Sequence, residues 1–356
     1  MRKLLIGFIG LVVIVVGAGL LLTGPLFPRV IERVVASNMA MDRSADLPDG
    51  LHLVVCGAGS PMPSDMAGPC LGVIAGDRVF VVDAGSGGSR NLGMMRFPQG
   101  DIEAVFLTHF HSDHIDGLGE LMMNRWVQGT NTEPVPVYGP QGVERIVAGF
   151  NMAYGPDTIY RVAHHGPETV PPGGQGGVAR PYPLPRPGEA MVLIDDNGLK
   201  VTAFKVDHAP IDEAVGYLFE YGGRSLVISG DTNANANLEK FAQGVDLLAH
   251  EGLAANIVKI MQKVAEETGN KNIAKIMFDI QDYHATPAQA AAVAERAGAK
   301  HLLFYHIVPP ILLAPQKRLF LEGVDDAYSG PFTVSVDGTV VIMPAGSDDI
   351  TLENWK

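Results

Sequence analysis

No run of Lys or Arg stands out anywhere in the 356 residues, and acidic side chains outnumber basic ones to leave a net charge of −13. A large nucleic-acid footprint needs clustered positive charge, so nucleic acid is disfavoured as a partner. Cysteine is almost absent: only Cys56 and Cys70 occur. Cys56 ends a strand-like run and Cys70 precedes another. A disulfide, favoured outside the cytoplasm, and two small buried thiols in adjacent strands are equally good readings, because the deciding Cα separation is not written in a sequence. No Cys-x-Pro-x-Arg run exists, which excludes a formylglycine-type sulfatase.

What is present suits a sizeable core. Hydrophobic residues make up 47%, and 42 Gly with 25 Pro fit a loop-rich α/β or β-rich globule better than a helical bundle. The length admits one large domain or two ordinary ones.

The first residues differ from the rest. Arg2 and Lys3 precede an uncharged apolar run, Leu4–Leu22, close to the ~20 residues that cross a bilayer as a helix. A signal peptide has a shorter apolar region, roughly 7–15 residues, with a small-residue cleavage site close behind. Here the first tolerable site, Val34-Val35-Ala36, lies well downstream. The expectation is an uncleaved membrane anchor or signal segment at 1–24, a linker at 25–49 and a catalytic domain at 50–356. Positive charge before the run favours a cytoplasmic N-terminus, which places the domain outside, in the periplasm; secretion after cleavage is the alternative.

Within the domain, "LHLVVCGAG", the hairpin "CLGVIAGDRVFVVDAGSG" and "IEAVFLTH" read as strands, followed by the helix "LGELMMNRWV", the strand "VPVYGP" and the helix "QGVERIVAGFNMAY". Residues 166–188 are rich in Gly and Pro and read as a long loop. "AMVLIDD", "LKVTAFKVDH", "EAVGYLFEYGG" and "RSLVISGD" read as successive strands. "NLEKFAQG" is a short helix, "VDLLAHEG" a strand, and a helix covers much of 253–268. In "HATPAQAAAVAERAGAKHLLFYHIV", Thr286 caps a helix, Pro287 suits its first position, Gln289 completes a capping box and Gly298 ends it before a strand. Two β-runs, each with helices, predict an α/β chain folded as an αββα sandwich of two packed mixed sheets with helices outside.

The chemistry gathers in "FLTHFHSDHIDGLGE", where His109, His111, Asp113, His114 and Asp116 stand within eight positions. Other ligand-type residues also stand where strands end: His208 after "VTAFKVD", Asp231 after "RSLVISG", His250 closing "VDLLA", and His306 after "HLLFY". Strand ends form a rigid rim on which loops carry sites. His nitrogen and Asp oxygen suit Zn2+. In the H-x-H-x-D-H block, His109 and His111 are placed to face one metal, and Asp113 and His114 a second. Two metals ~3.5–4 Å apart share a hydroxide and clamp attacking and leaving oxygens. A lone His208 or His306 is more often an ordinary turn residue, and Asp231 alone is a plausible turn cap, but packing gives no reason for the H-x-H-x-D-H spacing. His164 and His165 read as solvated loop residues, His52 and His301 as structural, and Asp116 as the start of the next helix.

"THFHSDH" resembles the signature of the metallo-β-lactamase fold superfamily. "VDHAPIDEAVGYLFE", "VISGDTN", "LLAHEG", "YHATPAQAAAVA" and "LLFYHI" follow in the order of its ribonuclease Z-like branch, which includes metal-dependent arylsulfatases and cyclic-nucleotide phosphodiesterases. The resemblance covers roughly residues 50 to 310. It implies a metallo-β-lactamase fold with two Zn2+ per chain (Mn2+ or Fe2+ as alternatives), one held by His109, His111 and His208, the other by Asp113, His114 and His306, with Asp231 bridging. It implies catalytic roles for Asp113 and for His284, the latter as proton donor to the leaving oxygen or as a stabiliser of substrate charge. Glu251 would orient His284 or a ligand, a surface carboxylate being nearly as good a reading, and Asp83 would support the site by hydrogen bonds.

Departures from the pattern narrow the activity. Asp231 stands where zinc β-lactamases place Cys or His, and His111 where diiron flavoprotein relatives carry Glu. Only 22 residues separate His208 from Asp231, too few for the long substrate arm of bacterial tRNA-processing relatives. The expectation is therefore a dizinc hydrolase of a small anionic ester, with a metal-bridging hydroxide as nucleophile: sulfate ester of arylsulfatase type first, with a phosphodiesterase or ribonuclease Z-type endoribonuclease as the alternative. A non-catalytic metal-binding scaffold is the reading of another class. The oligomeric state stays open, a homodimer among the options.

Overall fold

The computed structural model describes residues 27–39 and 42–356; the apolar run Leu4–Leu22 lies outside the described residues. Phe27–Met39 forms a helix, within the stretch read as a linker, with Val30, Ile31, Val34 and Val35 exposed. From Asp46 to Lys356 the chain is one compact unit.

In that unit β1 (Gly50–Gly57), β2 (Cys70–Ala75), β3 (Arg78–Val82), β4 (Ile102–Phe106), β5 (Val135–Pro140) and β6 (Gly177–Tyr182) lie in one sheet. The second sheet holds β7 (Ala190–Asp196), β8 (Leu199–Lys205), β9 (Val215–Tyr221), β10 (Arg224–Ile228), β11 (Leu247–Leu253), β12 (His301–Val308) and β13 (Phe332–Val334). β14 (Thr339–Pro344) and β15 (Thr351–Asn354) then return to the first, giving the order β15-β14-β1-β2-β3-β4-β5-β6 against β13-β12-β11-β10-β9-β8-β7. Both sheets are mixed: β3 to β6 run parallel to one another, as do β10 to β13, while the remaining pairs are antiparallel.

Side-chain alternation explains the layers. Along β1, Leu51, Leu53 and Val55 enter the core between the sheets, with Val201, Tyr217, Leu247 and Tyr305 from the other sheet. Val54 and Cys56 point the other way, into a layer shared with Leu92, Leu121 and Val147 of the covering helices. A strand covered on both faces reads as an unbroken apolar run. On the far side of the second sheet, Leu248 and Phe304 pack against Ala290, Val293 and Ala294 of the helix Pro287–Ala297, whose Thr286–Gln289 capping box and left-handed Gly298 terminus are both formed. The αββα sandwich is as expected.

The differences lie where partners are distant in sequence. The helix read from "QGVERIVAGFNMAY" runs to His165, and β6 lies inside the stretch read as loop. Pro181 hid that strand; as an edge strand paired only with β5, it tolerates a residue that cannot donate to a ladder. A helix at Lys271–Asp279 was not foreseen, although Asn270 caps it through its side chain. Nor were β13, β14 and β15; β14 pairs with β1 across the whole domain, Val341 opposite Leu53.

Cys56 and Cys70 are joined as a disulfide with Cα atoms 5.0 Å apart, closing the segment between β1 and β2. Closing a loop of about this size is worth about 3 kcal/mol. Cys56→Ser is therefore expected to lower unfolding stability by roughly that amount, read from the shift of a denaturant midpoint at constant slope. A loss below about 1 kcal/mol would mean that strand pairing alone holds this loop, against the usual worth of such a bridge.

Candidate metal centre

The polar residues of interest meet just past the carboxyl ends of β3, β4, β8 and β10 and in the last residues of β11 and β12. Asp83 follows β3 and adopts a left-handed φ of 57°. Its carboxylate accepts from Thr108 N–H and from the Thr108 hydroxyl, both at 2.8 Å. The chain is thereby pinned where β4 ends and the histidine block begins. Tyr217 pins the preceding residue, donating its hydroxyl to the Leu107 carbonyl at 2.6 Å. Neither Thr108 nor Tyr217 was singled out in the sequence; Thr108, as the residue before His109, carried the only signal.

Three of the histidines are oriented through Nδ1 and offer Nε2. His114 Nδ1 is 2.7 Å from Asp83 Oδ2, His109 Nδ1 is 3.0 Å from Thr108 Oγ1, and His208 Nδ1 is 2.8 Å from the Tyr283 carbonyl. Their Nε2 atoms point inward. His111 Nδ1 lies 3.0 Å from His109 Nε2 and 3.3 Å from His208 Nε2, so three imidazole nitrogens crowd one point. Asp231 Oδ2 is 3.8 Å from His109 Nε2 and 3.9 Å from His208 Nε2. It is also 3.3 Å from both His114 Nε2 and His306 Nε2, and His306 Nε2 lies 3.3 Å from Asp113 Oδ2. Two ligand groups result, His109–His111–His208–Asp231 and Asp113–His114–His306, with Asp231 facing both.

His306 reaches the centre through an irregularity in its strand. In the β11–β12 ladder His250 pairs with Phe304 and Gly252 with Ile307, so two residues of β12 oppose one of β11. Such a bulge re-aims a side chain, and His306 takes a φ of 45° there, a costly conformation for a residue with a Cβ. The Ile307 N–H next to it is held by the Ala58 carbonyl at 2.9 Å.

These atoms fit divalent cations. His114 Nε2, Asp231 Oδ1 and both ring nitrogens of His306 are buried without a hydrogen-bond partner, and buried polar atoms are ordinarily paired. Burial and the neighbouring imidazoles hold His109 well below the usual histidine range, so it offers a neutral lone pair. His114 shows the opposite demand: burial opposes its charged form, but Asp231 and Asp83 outweigh it and push its pKa up to about 10. Burial likewise opposes the charge on Asp231, and the His306 and His114 imidazoles hold it ionised nonetheless. A buried carboxylate set that draws protons onto imidazole in this way calls for positive charge. The nitrogen and carboxylate donors are those that zinc prefers.

His284 stands beside the two groups rather than in either. It is 8% exposed, and its ring centroid is 5.2 Å from that of His208 and 5.9 Å from that of His306. Its Nδ1 lies 2.9 Å from Glu251 Oε1, which also accepts from Ala285 N–H at 3.1 Å. Burial disfavours the imidazolium, yet the Glu251 carboxylate outweighs it and raises the His284 pKa. Glu251 is fully buried in β11, so a surface carboxylate is excluded.

The remaining residues lie elsewhere. His52 is buried with both ring nitrogens in hydrogen bonds to Pro48 and Met343, and His301 bonds Thr333. His164 and His165 end the long helix and are exposed, not in a loop. Asp116 follows a short helix, Ser112–Ile115, and Gly117 rather than Asp116 precedes the helix Leu118–Gly129. His250 is buried, with Nδ1 on the Glu251 carbonyl, outside both groups.

A beta-lactamase superfamily domain is matched over residues 78–307. The Ribonuclease Z of Mycobacterium bovis (strain BCG / Pasteur 1173P2) is 35% identical over 265 residues, covering 73% of this chain and 87% of that protein. Among solved structures, the metallo-beta-lactamase fold protein YhfI from Bacillus subtilis superposes with a TM-score of 0.58 at 19% identity, over 82% of this chain and 99% of its own. Human tRNase Z, short form, does so with a TM-score of 0.56 at 21% identity, over 82% and 99%. At those identities the structures speak for the fold alone.

The comparison corrects two expectations. Nucleic acid was disfavoured as a partner on net charge, yet the matched relatives are named for cutting RNA. Net charge sums the whole surface, and metal ions held by His109, His111, His208, Asp231, Asp113, His114 and His306 would supply positive charge without a Lys or Arg block. The extracytoplasmic, membrane-anchored location is the second: it conflicts with relatives named Ribonuclease Z, and no helix among the described residues, which leave out Leu4–Leu22, is long and apolar enough to cross a membrane.

Proposed function

This chain belongs to the beta-lactamase superfamily, among relatives of ribonuclease Z, and we propose that it is a metal-dependent phosphodiesterase. Sulfate ester was the first expectation from the sequence; the curated relatives favour the phosphodiester. The observation that carries the reading is the pair of ligand groups sharing Asp231, with the His284–Glu251 pair at their side.

His109, His111 and His208 would hold one ion, Asp113, His114 and His306 the other, and Asp231 both. Zn2+ is the ion their donor set suits, with Mn2+ or Fe2+ as alternatives. Bound there, a metal pair supplies hydroxide at neutral pH and neutralises charge on a phosphoryl group. Asp113 reaches the centre only 13% exposed and helps align the attacking water. Glu251 fixes His284 Nδ1 and favours its protonated form, which leaves Nε2 to deliver a proton to the departing oxygen. A diester suits this division of labour, since its leaving oxygen is basic and needs that proton.

RNA is the substrate that the relatives' name suggests. A smaller phosphodiester is the second reading, favoured by one observation: the chain between His208 and Asp231 is taken up by β9 and β10, with no projecting arm.

Metal-loaded protein should turn over methyl p-nitrophenyl phosphate at least about 100-fold faster in kcat/KM than p-nitrophenyl sulfate, and faster than p-nitrophenyl phosphate. The reverse order for the sulfate would overturn the proposal. Glu251→Gln should keep both metals and lose about 10- to 100-fold in kcat on a diester with a basic leaving group, as removal of orienting partners commonly does. An unchanged kcat would remove Glu251 from the site.

A further inference from the structure

We propose that the cleft beside the metal centre binds the organic arm of the substrate, and that it selects a flat nucleoside-like arm carrying no further phosphate. This rests on the phosphodiesterase reading. A cleft of about 430 Å³ opens from His111 and His208 and is walled by Pro210, Ile211 and Tyr283, with Asp279 and Asp282 at its rim. An ester held at the ligand groups has one arm directed into this space.

Tyr283 supplies a rigid flat wall. Its carbonyl is fixed by His208 Nδ1 at 2.8 Å, and its ring sits 5.2 Å from the His208 ring and 4.8 Å from the His284 ring. Its ring also packs with the buried cluster of Leu253, Val258 and Val308. It therefore cannot swing away without disturbing groups on both sides of the reaction centre. Ile211 adds an apolar face, anchored by its N–H on the His208 carbonyl at 2.9 Å. A nucleobase stacked on an aromatic side chain gains roughly 5- to 150-fold in binding.

The rim sets the sign of charge. Asp282 is exposed, and Asp279 is shared with Lys275. The Asp282 carboxylate at the exit repels a second phosphate but accepts hydrogen bonds from base or sugar donors. An arm that ends at its nucleoside fits; a continuing polynucleotide does not. The substrate class is thus a small nucleotide diester or the terminal linkage of a chain.

The test is equilibrium binding to zinc-loaded protein, which needs no turnover. The probes are inorganic phosphate, thymidine 5′-monophosphate and thymidine 3′,5′-bisphosphate. Thymidine monophosphate should bind at least about 10-fold more tightly than phosphate, within the range expected for one stacked base. Tyr283→Ala should abolish that gain, read as the ratio of the phosphate Kd to the thymidine monophosphate Kd on the same variant, and Tyr283→Phe should keep it. The bisphosphate should bind more weakly than the monophosphate, and Asp282→Asn, which leaves the Lys275–Asp279 pair intact, should erase the difference. Equal binding of phosphate and thymidine monophosphate, or a gain that survives Tyr283→Ala, would overturn the proposal. So would a bisphosphate preferred by the wild type. Failure of methyl p-nitrophenyl phosphate turnover would strike the phosphodiesterase reading instead, so the two failures are distinguishable.

Discussion

Asp231→Ala is expected to lose most of one metal and to cut phosphodiester turnover by about 10³-fold or more. The carboxylate stands 3.3 Å from ring nitrogens of one ligand group and 3.8 to 3.9 Å from those of the other, so its removal strips a shared ligand from both. A metal clamp contributes several kcal/mol to the transition state, and each ~1.4 kcal/mol is tenfold in rate. The loss also exposes a second fault: His114 and His306 would keep buried nitrogens with even fewer partners. Metal content per chain and kcat, measured on the same preparation, check this. A variant with both metals and full turnover would show that Asp231 is not shared.

His284→Ala is expected to keep both metals and to lose about 10²–10⁴ in kcat on a diester with a basic leaving group, the usual range for general acid–base catalysis. On a nitrophenolate leaving group the loss should be much smaller, because that oxygen departs almost unaided. The structure gives the physical basis: His284 stands outside both ligand groups, and the buried Glu251 carboxylate outweighs burial and raises its pKa. Equal losses on both substrates would move its role to the non-bridging oxygens, where the leaving group's pKa matters less. Loss of metal would make it a ligand. No loss on either substrate would leave it a structural residue beside the start of the helix Pro287–Ala297.

The α/β layers were legible because their signals are local. Alternating Leu51, Leu53 and Val55, the capping box at Thr286 and Gln289, and the Gly298 terminus each lie within a few residues of what they determine. β6, the helix Lys271–Asp279 and β13 to β15 escaped. β6 carries a Pro inside a Gly-rich stretch and exists through its pairing with β5; β14 exists through pairing with β1 from the other end of the domain. Glu251 shows the same limit at the site. Its neighbours in sequence allow a surface carboxylate, and only the β11–β12 bulge and the loop before Thr286 bury it against His284.

The sequence by itself determined which chemistry is available: H-x-H-x-D-H has no packing rationale, and strand ends at His208, Asp231 and His306 place further donors on a rim. Tertiary structure alone decided what those donors share. Asp231 faces two ligand groups because Gly230, after β10, lies against Thr108, after β4 of the opposing sheet, and His306 joins them because a bulge turns it inward. It also decided which cysteine reading holds, bringing Cys56 and Cys70 to 5.0 Å between Cα atoms. The reason is the same in each case: residue type is a local property, whereas distance between residues far apart in the chain is set by how two sheets pack.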